Sequence, residues 1–372
     1  MTRLRPRLAW IRYGGPIADQ ELDHAVGKYR VAILQPWETA AAARLKAENP
    51  GITVLAYQCL SSVRTYEPGP IFSSGLSAAQ AEEWGTFAER ENGIRVEWEG
   101  YPGHFQQKVW DPGYRRHWVD SVVDRFTGSP FDGVMADNDV FDDYYGLRLP
   151  LRGGVKLPEI RTGLDELITE AGEGREESGT VRGPNLAEAR RETDRWERHS
   201  RFGGGFEECW MGWGTQNDQW LREEDVLAQV ESLTASGLSI ARVAGTGEPG
   251  DPYLLLALAA AWVFAPDSDV AVTATAVDGY SASPYTGYEQ WDLGYPLSSI
   301  WDNPFPGVYT RSLTHGFAAV NLSRETVEVD FDGSPVIIKS RRGTLLPLGR
   351  GSSPRWSGSM MEQWNQSVEP LG

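Results

Sequence analysis

The sequence predicts a (β/α)8 barrel followed by a small antiparallel β subdomain. Three observations carry this. Short apolar, β-rich runs alternate with helical segments eight times within about 275 residues, close to the ~250 residues such a barrel takes. Near Trp301 the alternation stops, and short strand-like runs separated by turn residues take over. The 372 residues suffice for one large domain or two ordinary ones, and a chain of this size should bury about 75% of its unfolded surface. Alternating β and α also fits an open doubly wound sheet.

The elements follow in order. Residues 8–13 read as a strand stopped by Gly14-Gly15, and a polar helix is expected near 19–29. Residues 31–35 form a second strand stopped by Pro36; 38–48 are Ala-rich and helical, ended by Asn49-Pro50-Gly51. Residues 52–57 are a third strand and 131–137 a fourth. Residues 180–186 are a short fifth, 203–208 a sixth, 238–244 a seventh and 269–275 an eighth. Helices are expected at 115–126, 158–171, 186–199, 223–236 and 252–265, with 172–179 an exposed charged loop. The barrel then spans 1–300. The β subdomain spans 301–348, with short strands within 308–322, 326–331, 336–340 and 343–347, and a Ser/Gly/Pro-rich tail covers 349–372.

Composition excludes several function classes. Asp+Glu 52 against Lys+Arg 35 gives a formal net charge of −17, which argues against a nucleic-acid partner or an anionic membrane surface. Two cysteines, Cys59 and Cys209, allow neither a disulfide framework nor a zinc finger, and each reads as a small core residue. Nothing approaches 18 consecutive apolar residues, and the N-terminus has no signal-peptide pattern; the compartment stays open, and a monomer is expected. The 15 Trp suggest a large core plus an aromatic-lined groove.

The strongest motif is Phe131-Asp-Gly-Val-Met-Ala-Asp137-Asn-Asp139, a strand running into carboxylates at its C-terminal end. Barrel active sites lie at that end. Alternation puts Asp137 on the face of Gly133 and Met135, toward the barrel mouth, and a buried charge needs a partner there. Asp139 is a second candidate, and either Asp could instead cap a helix. The next motif is Gly203-Gly-Gly-Phe-Glu207-Glu208-Cys209-Trp210. If Phe206 packs outward, Glu207 points inward; Glu208 is the fallback. Two carboxylates from different strands are what glycoside hydrolysis needs, one as acid and one as nucleophile or base. Tyr57, Asn185 and Arg242, near strand ends, are candidate substrate contacts, with Trp210 and Trp291 as candidate stacking rings. The insertion at 65–115 is a candidate roof for the cleft.

Other chemistries lack their residues. There is no G-x-S-x-G and no H-E-x-x-H, the five His are scattered, and the acids at 137–143 fail the EF-hand pattern at its Gly. No metal or cofactor is expected. Gly245-Thr-Gly247-Glu-Pro-Gly250 is a literal G-x-G-x-x-G, but Glu248 and Asp251 put negative charge where a pyrophosphate belongs, and Asp251-Pro252 already makes a helix start. A tight barrel loop is the expected reading.

The strand-four run resembles the corresponding motif of hypothetical glycosyl-hydrolase-like family fifteen and, more distantly, glycoside hydrolase family 114 of the endo-galactosaminidase type. Glu207-Glu208-Cys209 resembles the Glu-Gln-Cys of the latter, which supports Glu207. Tyr309-Thr-Arg311 through Gly316-Phe-Ala-Ala-Val-Asn321 resembles the pattern that opens the C-terminal β segment of the former. The resemblance implies a (β/α)8 fold and carbohydrate hydrolysis by Asp137 and Glu207. The alternative is a non-catalytic glycan-binding or structural barrel module.

Overall fold

A computed structural model describes residues 5–140, 142–173, 189–192, 194–234, 237–277, 279–282, 284–331 and 334–348. The chain runs β1 (Arg7–Arg12), α1 (Asp19–Val26), β2 (Tyr29–Leu34), α2 (Thr39–Glu48), β3 (Thr53–Cys59), β4 (Ser62–Arg64), α3 (Ala78–Glu83) and β5 (His104–Gln106). It continues through α4 (Pro112–Phe126), β6 (Gly133–Asp137), α5 (Leu157–Glu173), α6 (Arg195–Ser200), β7 (Gly204–Glu207), α7 (Glu223–Thr234), β8 (Leu238–Ala244), α8 (Pro252–Phe264) and β9 (Val270–Thr275). Six further strands close it: β10 (Asp302–Phe305), β11 (Val308–Leu313), β12 (Gly316–Asn321), β13 (Val327–Phe331), β14 (Ser334–Ile338) and β15 (Arg342–Pro347).

Seven strands form one parallel sheet in the order β6-β3-β2-β1-β9-β8-β7, wrapped into a nearly closed barrel. Parallel strands covered on both faces need continuous apolar runs. Accordingly every residue of Thr53–Cys59 and of Leu238–Ala244 is buried. The register fixes the barrel mouth: β3 pairs β6 with Cys59 opposite Asp137, and β7 pairs β8 with Glu207 opposite Ala241. Among the described residues no pairing joins β6 to β7, the two outer strands. The expected fifth strand, 180–186, lies outside the described residues.

The helices start where local chemistry allows. Asp111 caps α4 by accepting from the Gly113 and Tyr114 amides, with Pro112 at the first turn. Ser77 and Gln80 make a capping box on α3, a helix inside the insertion that the sequence reading did not contain. α5 runs through Glu173, so Gly172 is helical and buried rather than loop. The expected helix 186–199 is, among the described residues, a 3-10 turn at Ala189–Arg191 followed by α6.

α8 is apolar on every side, and ten of its residues from Leu254 to Phe264 are buried. Such a helix must be covered on all faces. One side meets β8 and β9, and the other meets the four-stranded antiparallel sheet β10-β11-β12-β15. At Gly343 on β15 an added Cβ would fall 2.7 Å from the Ala259 Cβ and 2.9 Å from the Leu256 Cα, so only glycine allows this approach. The outer face of that sheet packs on the β13–β14 hairpin through Val308, Phe317, Ala319, Val336 and Ile338. No described helix is long and apolar enough to cross a membrane.

β7 depends on its glycines. Gly204 has φ +144° and lies against β8, where an added Cβ would sit 2.0 Å from the Leu238 carbonyl oxygen. Gly204→Ala therefore strains the backbone and pushes two strands apart. The expected loss is about 2–4 kcal/mol in urea unfolding, with a lower midpoint and an unchanged slope. A midpoint equal to wild type would show that β7 tolerates a side chain here.

Candidate active site

Asp137 is the last residue of β6 and is half-buried at the barrel mouth. Its Oδ2 accepts from the Tyr57 hydroxyl at 2.7 Å and from the Asn138 side-chain amide at 3.0 Å. Arg64 Nη2 donates to the Tyr57 oxygen at 2.9 Å, and its guanidinium lies 5.1 Å from that ring's centre. A phenol has one hydrogen. Since Tyr57 accepts from Arg64, its hydrogen goes to Asp137. Burial first, and then the Asp137 charge, hold the Tyr57 hydroxyl well above its ordinary range, so it remains a donor. Asn138 turns the chain with φ 67°, a left-handed conformation that Asn tolerates better than most residues. Its side chain also donates to the Cys59 sulfur at 3.2 Å and accepts from the Tyr145 hydroxyl.

The neighbouring acids of β7 have separate fates. Glu207 is 1% exposed, and its Oε1 accepts from the Cys209 amide and thiol, each at 3.1 Å. It does not line the pocket. Glu208, one residue past the strand, does, and its Oε1 accepts from the Tyr280 hydroxyl at 2.5 Å. Burial, then the Glu208 charge, hold Tyr280 well above its ordinary range. Arg242 is buried behind this turn. It donates to the Glu208 carbonyl at 3.3 Å, to Thr275 Oγ1 at 2.8 Å and to the carbonyls of Thr275 and Ala276, each at 3.1 Å. It ties the ends of three strands together and is not part of the pocket lining.

Asp137 and Glu208 thus face one pocket of about 530 Å³. Tyr13 and Tyr280 stand between them, with ring centres 5.2 Å apart, and Tyr13 meets Tyr57 edge-on at 5.1 Å. The opposite wall comes from the insertion, where β4 and β5 pair antiparallel and set Arg64 opposite His104. Trp98 stacks flat on Tyr145 at 3.8 Å and lies 5.7 Å from the His104 ring. Burial, then the Arg64 charge, push His104 down to about 4, so it is neutral near pH 7. At the rim Tyr101, Tyr144 and Trp213 are 41%, 46% and 42% exposed.

Asp139 borders the pocket, but its carboxylate is engaged elsewhere. Oδ1 pairs with Arg195 Nη2 at 2.5 Å, Oδ2 lies 3.2 Å from His199 Nδ1, and His199 Nε2 lies 2.7 Å from Asp165 Oδ1. Burial raises the Asp139 carboxyl, yet Arg195 and His199 outweigh it and hold it below its ordinary value. Burial lowers His199, yet its two aspartates outweigh that and hold it above its ordinary value.

The remaining expected site residues lie elsewhere. Trp210 is fully buried in the core, and Trp291 packs edge-on to Tyr288 at 4.5 Å, away from the pocket lining. Asn185 lies outside the described residues. Pocket residues that the sequence reading did not single out as site residues include Tyr13, Arg64, Trp98, His104, Trp213 and Tyr280, of which Trp98 and His104 lie in the insertion expected to roof the cleft. The G-x-G-x-x-G run is a helix-capping loop, as expected. Asp251 Oδ2 accepts from the amides of Thr246 at 2.6 Å and Gly247 at 3.1 Å, while Oδ1 accepts from the Tyr253 amide at 2.8 Å. A protein carboxylate fills the cradle that a pyrophosphate would need.

Residues 46–317 match the sequence model of hypothetical glycosyl hydrolase family 15. No curated protein sequence matches this chain. Among solved structures, the chain is similar to a maltogenic α-amylase, AmyB of Thermotoga neapolitana, at 11% identity and a TM-score of 0.51, covering 92% of this chain and 96% of that one. It is also similar to uncharacterised protein lmo2446 of Listeria monocytogenes, at 9% identity and a TM-score of 0.52, covering 92% of this chain and 40% of that one. For Ega3 of Aspergillus fumigatus in complex with galactosamine the identity is 11% and the TM-score 0.46, covering 76% of this chain and 93% of that one. The fold is that of the glycosidase barrels.

The His199 cluster sets a pH dependence. A histidine whose folded-state pKa is raised stabilises fully below its unfolded value, 6.5, and loses that contribution as pH rises through the folded value. His199→Gln should therefore cost about 1–3 kcal/mol at pH 6 and less at pH 9. Urea midpoints of both proteins at the two pH values check this; a larger loss at pH 9 would mean that His199 is buried neutral.

Proposed function

This chain belongs to hypothetical glycosyl hydrolase family 15, and we propose that it cleaves a poly- or oligosaccharide with Asp137 and Glu208 as its carboxylate pair. The observation that carries the reading is their convergence. Both acids lie at the C-terminal ends of strands, face one aromatic-walled pocket and receive a tyrosine hydrogen bond.

Cleaving a glycosidic bond needs a proton for the leaving oxygen and a carboxylate for the anomeric carbon or for an attacking water. Asp137 suits the second role. Two donors converge on its Oδ2, and Arg64 fixes the direction of one of them through Tyr57. A carboxylate held this way works as an acceptor and an anion. Glu208, which faces the same pocket from the β7 side and accepts from the Tyr280 hydroxyl, is assigned the acid role. Positive charge developing on the sugar ring would lie between the two acids, walled by tyrosines. The exposed rings of Tyr101, Tyr144 and Trp213 offer flat apolar faces to the C–H faces of a sugar chain crossing the rim. Glu207 holds the turn that presents Glu208, by accepting from Cys209.

Reducing-end release from a panel of polysaccharides tests the proposal. Asp137→Asn and Glu208→Gln should each lose about 10²–10⁴-fold in rate, while Glu207→Gln keeps most of it. An aryl glycoside with a good leaving group should restore much of the Glu208→Gln rate, since the acid is then dispensable, and should restore none of the Asp137→Asn rate. Full turnover by Glu208→Gln on the polymer, with loss in Glu207→Gln, would move the acid role from Glu208 to Glu207. Equal glycan binding by wild type and both variants, without cleavage, would make the barrel a binding module.

A further inference from the structure

The opposite end of the barrel carries a second crevice, of about 480 Å³, lined by Arg5, Arg7, Lys28 and Arg30 among others. The strand pattern brings these cations together. β1 pairs parallel to β2 with Leu8 opposite Tyr29, and both of those side chains are buried. Arg7 precedes Leu8, and Arg30 is the residue skipped where the register shifts from Leu8–Tyr29 to Ala9–Val31; both line the crevice. Arg5 and Lys28, just before the two strands begin, line it too. Like charges on neighbouring strands repel, and the chain as a whole is acidic at −17, so this cluster is not a by-product of a basic composition.

Three of the four cations have a carboxylate. Arg30 pairs with Asp269 at 3.1 Å, Arg5 with Asp292 at 3.4 Å, and Lys28 with Glu289 at 3.5 Å. The last two are ion pairs too long to be good hydrogen bonds, so both groups keep donors to offer. Arg7 is half-buried and has no ion-pair or side-chain hydrogen-bond partner among the described residues. Burial, then the Arg5 charge, disfavour its cation; Asp292 favours it, and Arg30 again opposes it, with a lowered value as the outcome. Among the described residues, four cations of the crevice thus meet three paired carboxylates.

We propose that this crevice is a binding site for a small oxyanion of the phosphate class, with Arg7 as its principal ligand and Arg5 and Lys28 closing on it. A guanidinium presents paired N–H donors at the spacing of two phosphate oxygens. A single such anion relieves the repulsion among all four cations. The site lies at the N-terminal ends of the strands, away from the carboxylate pair, and stands or falls independently of the catalytic proposal.

The test is calorimetric titration of the full chain at pH 7.5 with inorganic phosphate and, separately, with glucose 6-phosphate, against potassium chloride at matched ionic strength. Wild type should bind at least one of the two phosphates saturably and with one site per chain, and chloride should not reproduce the heat. Arg7→Gln should weaken that binding at least tenfold. If Arg7→Gln does not fold, Lys28→Gln serves, with the same direction and a smaller loss. Saturable binding of inorganic phosphate marks a free-ion site. Binding of the sugar phosphate alone marks a phosphoryl-monoester site. No binding of either phosphate, or equal affinity in wild type and variant, would overturn the proposal.

Discussion

The buried ion pair between Asp139 and Arg195 holds the two sides of the site together. The parallel sheet ends at β6 on one side and β7 on the other, and among the described residues no strand hydrogen bond spans the gap. Asp139 follows β6 by two residues, and Arg195 opens α6, the helix that leads into β7. Their side chains are each 1% exposed, and Arg195 also donates to the Asp139 carbonyl at 2.6 Å. Removing one partner of such a pair typically costs about 3–5 kcal/mol, because the other is left charged and buried. His199 and Asp165 extend the network and satisfy the second carboxylate oxygen. The positions of Asp137 and Glu208, one on each side of the gap, depend on this clamp.

Each motif then splits its two acids between structure and pocket. On the β6 side Asp137 faces the pocket and Asp139 becomes the clamp, and the left-handed turn at Asn138 separates them. On the β7 side Glu208 faces the pocket and Glu207 is buried against Cys209. In both cases the structural acid meets buried donors, while the pocket acid lines the cavity and accepts from a tyrosine. Burying a carboxylate without such partners would be prohibitive, so the supporting donors are as much a part of the site as the acids themselves.

Much of this was legible in the sequence, for physical reasons. Continuous apolar runs identify covered parallel strands, and Asp251-Pro252 and Asp111-Pro112 mark helix starts through the capping chemistry of Asp and the fixed φ of Pro. Asp137 was readable because a strand running into an acid at a barrel mouth has few structural uses. The division between Glu207 and Glu208 was not. Phe206 and Glu207 are both buried, at 2% and 1%, so alternation supplies no solvent face to separate them, and the outcome turns on where β7 ends. Trp210 and Trp291 were unreadable for another reason: indole fills a core as readily as it lines a groove. The aromatic-rich insertion was readable as a candidate cover for the cleft, but which of its residues line the pocket depends on how β4, β5 and Trp98 fold back, which no local pattern encodes.

The most direct test is a crystal structure of Glu208→Gln soaked with an oligosaccharide that the wild type degrades. The account predicts a sugar chain across the pocket between Tyr57 and Tyr280. The anomeric carbon should lie within reach of Asp137 and the glycosidic oxygen within reach of Gln at position 208. Rings should stack on Trp213 or the rim tyrosines. A chain bound outside this pocket, or one whose glycosidic oxygen faces Glu207, would contradict it.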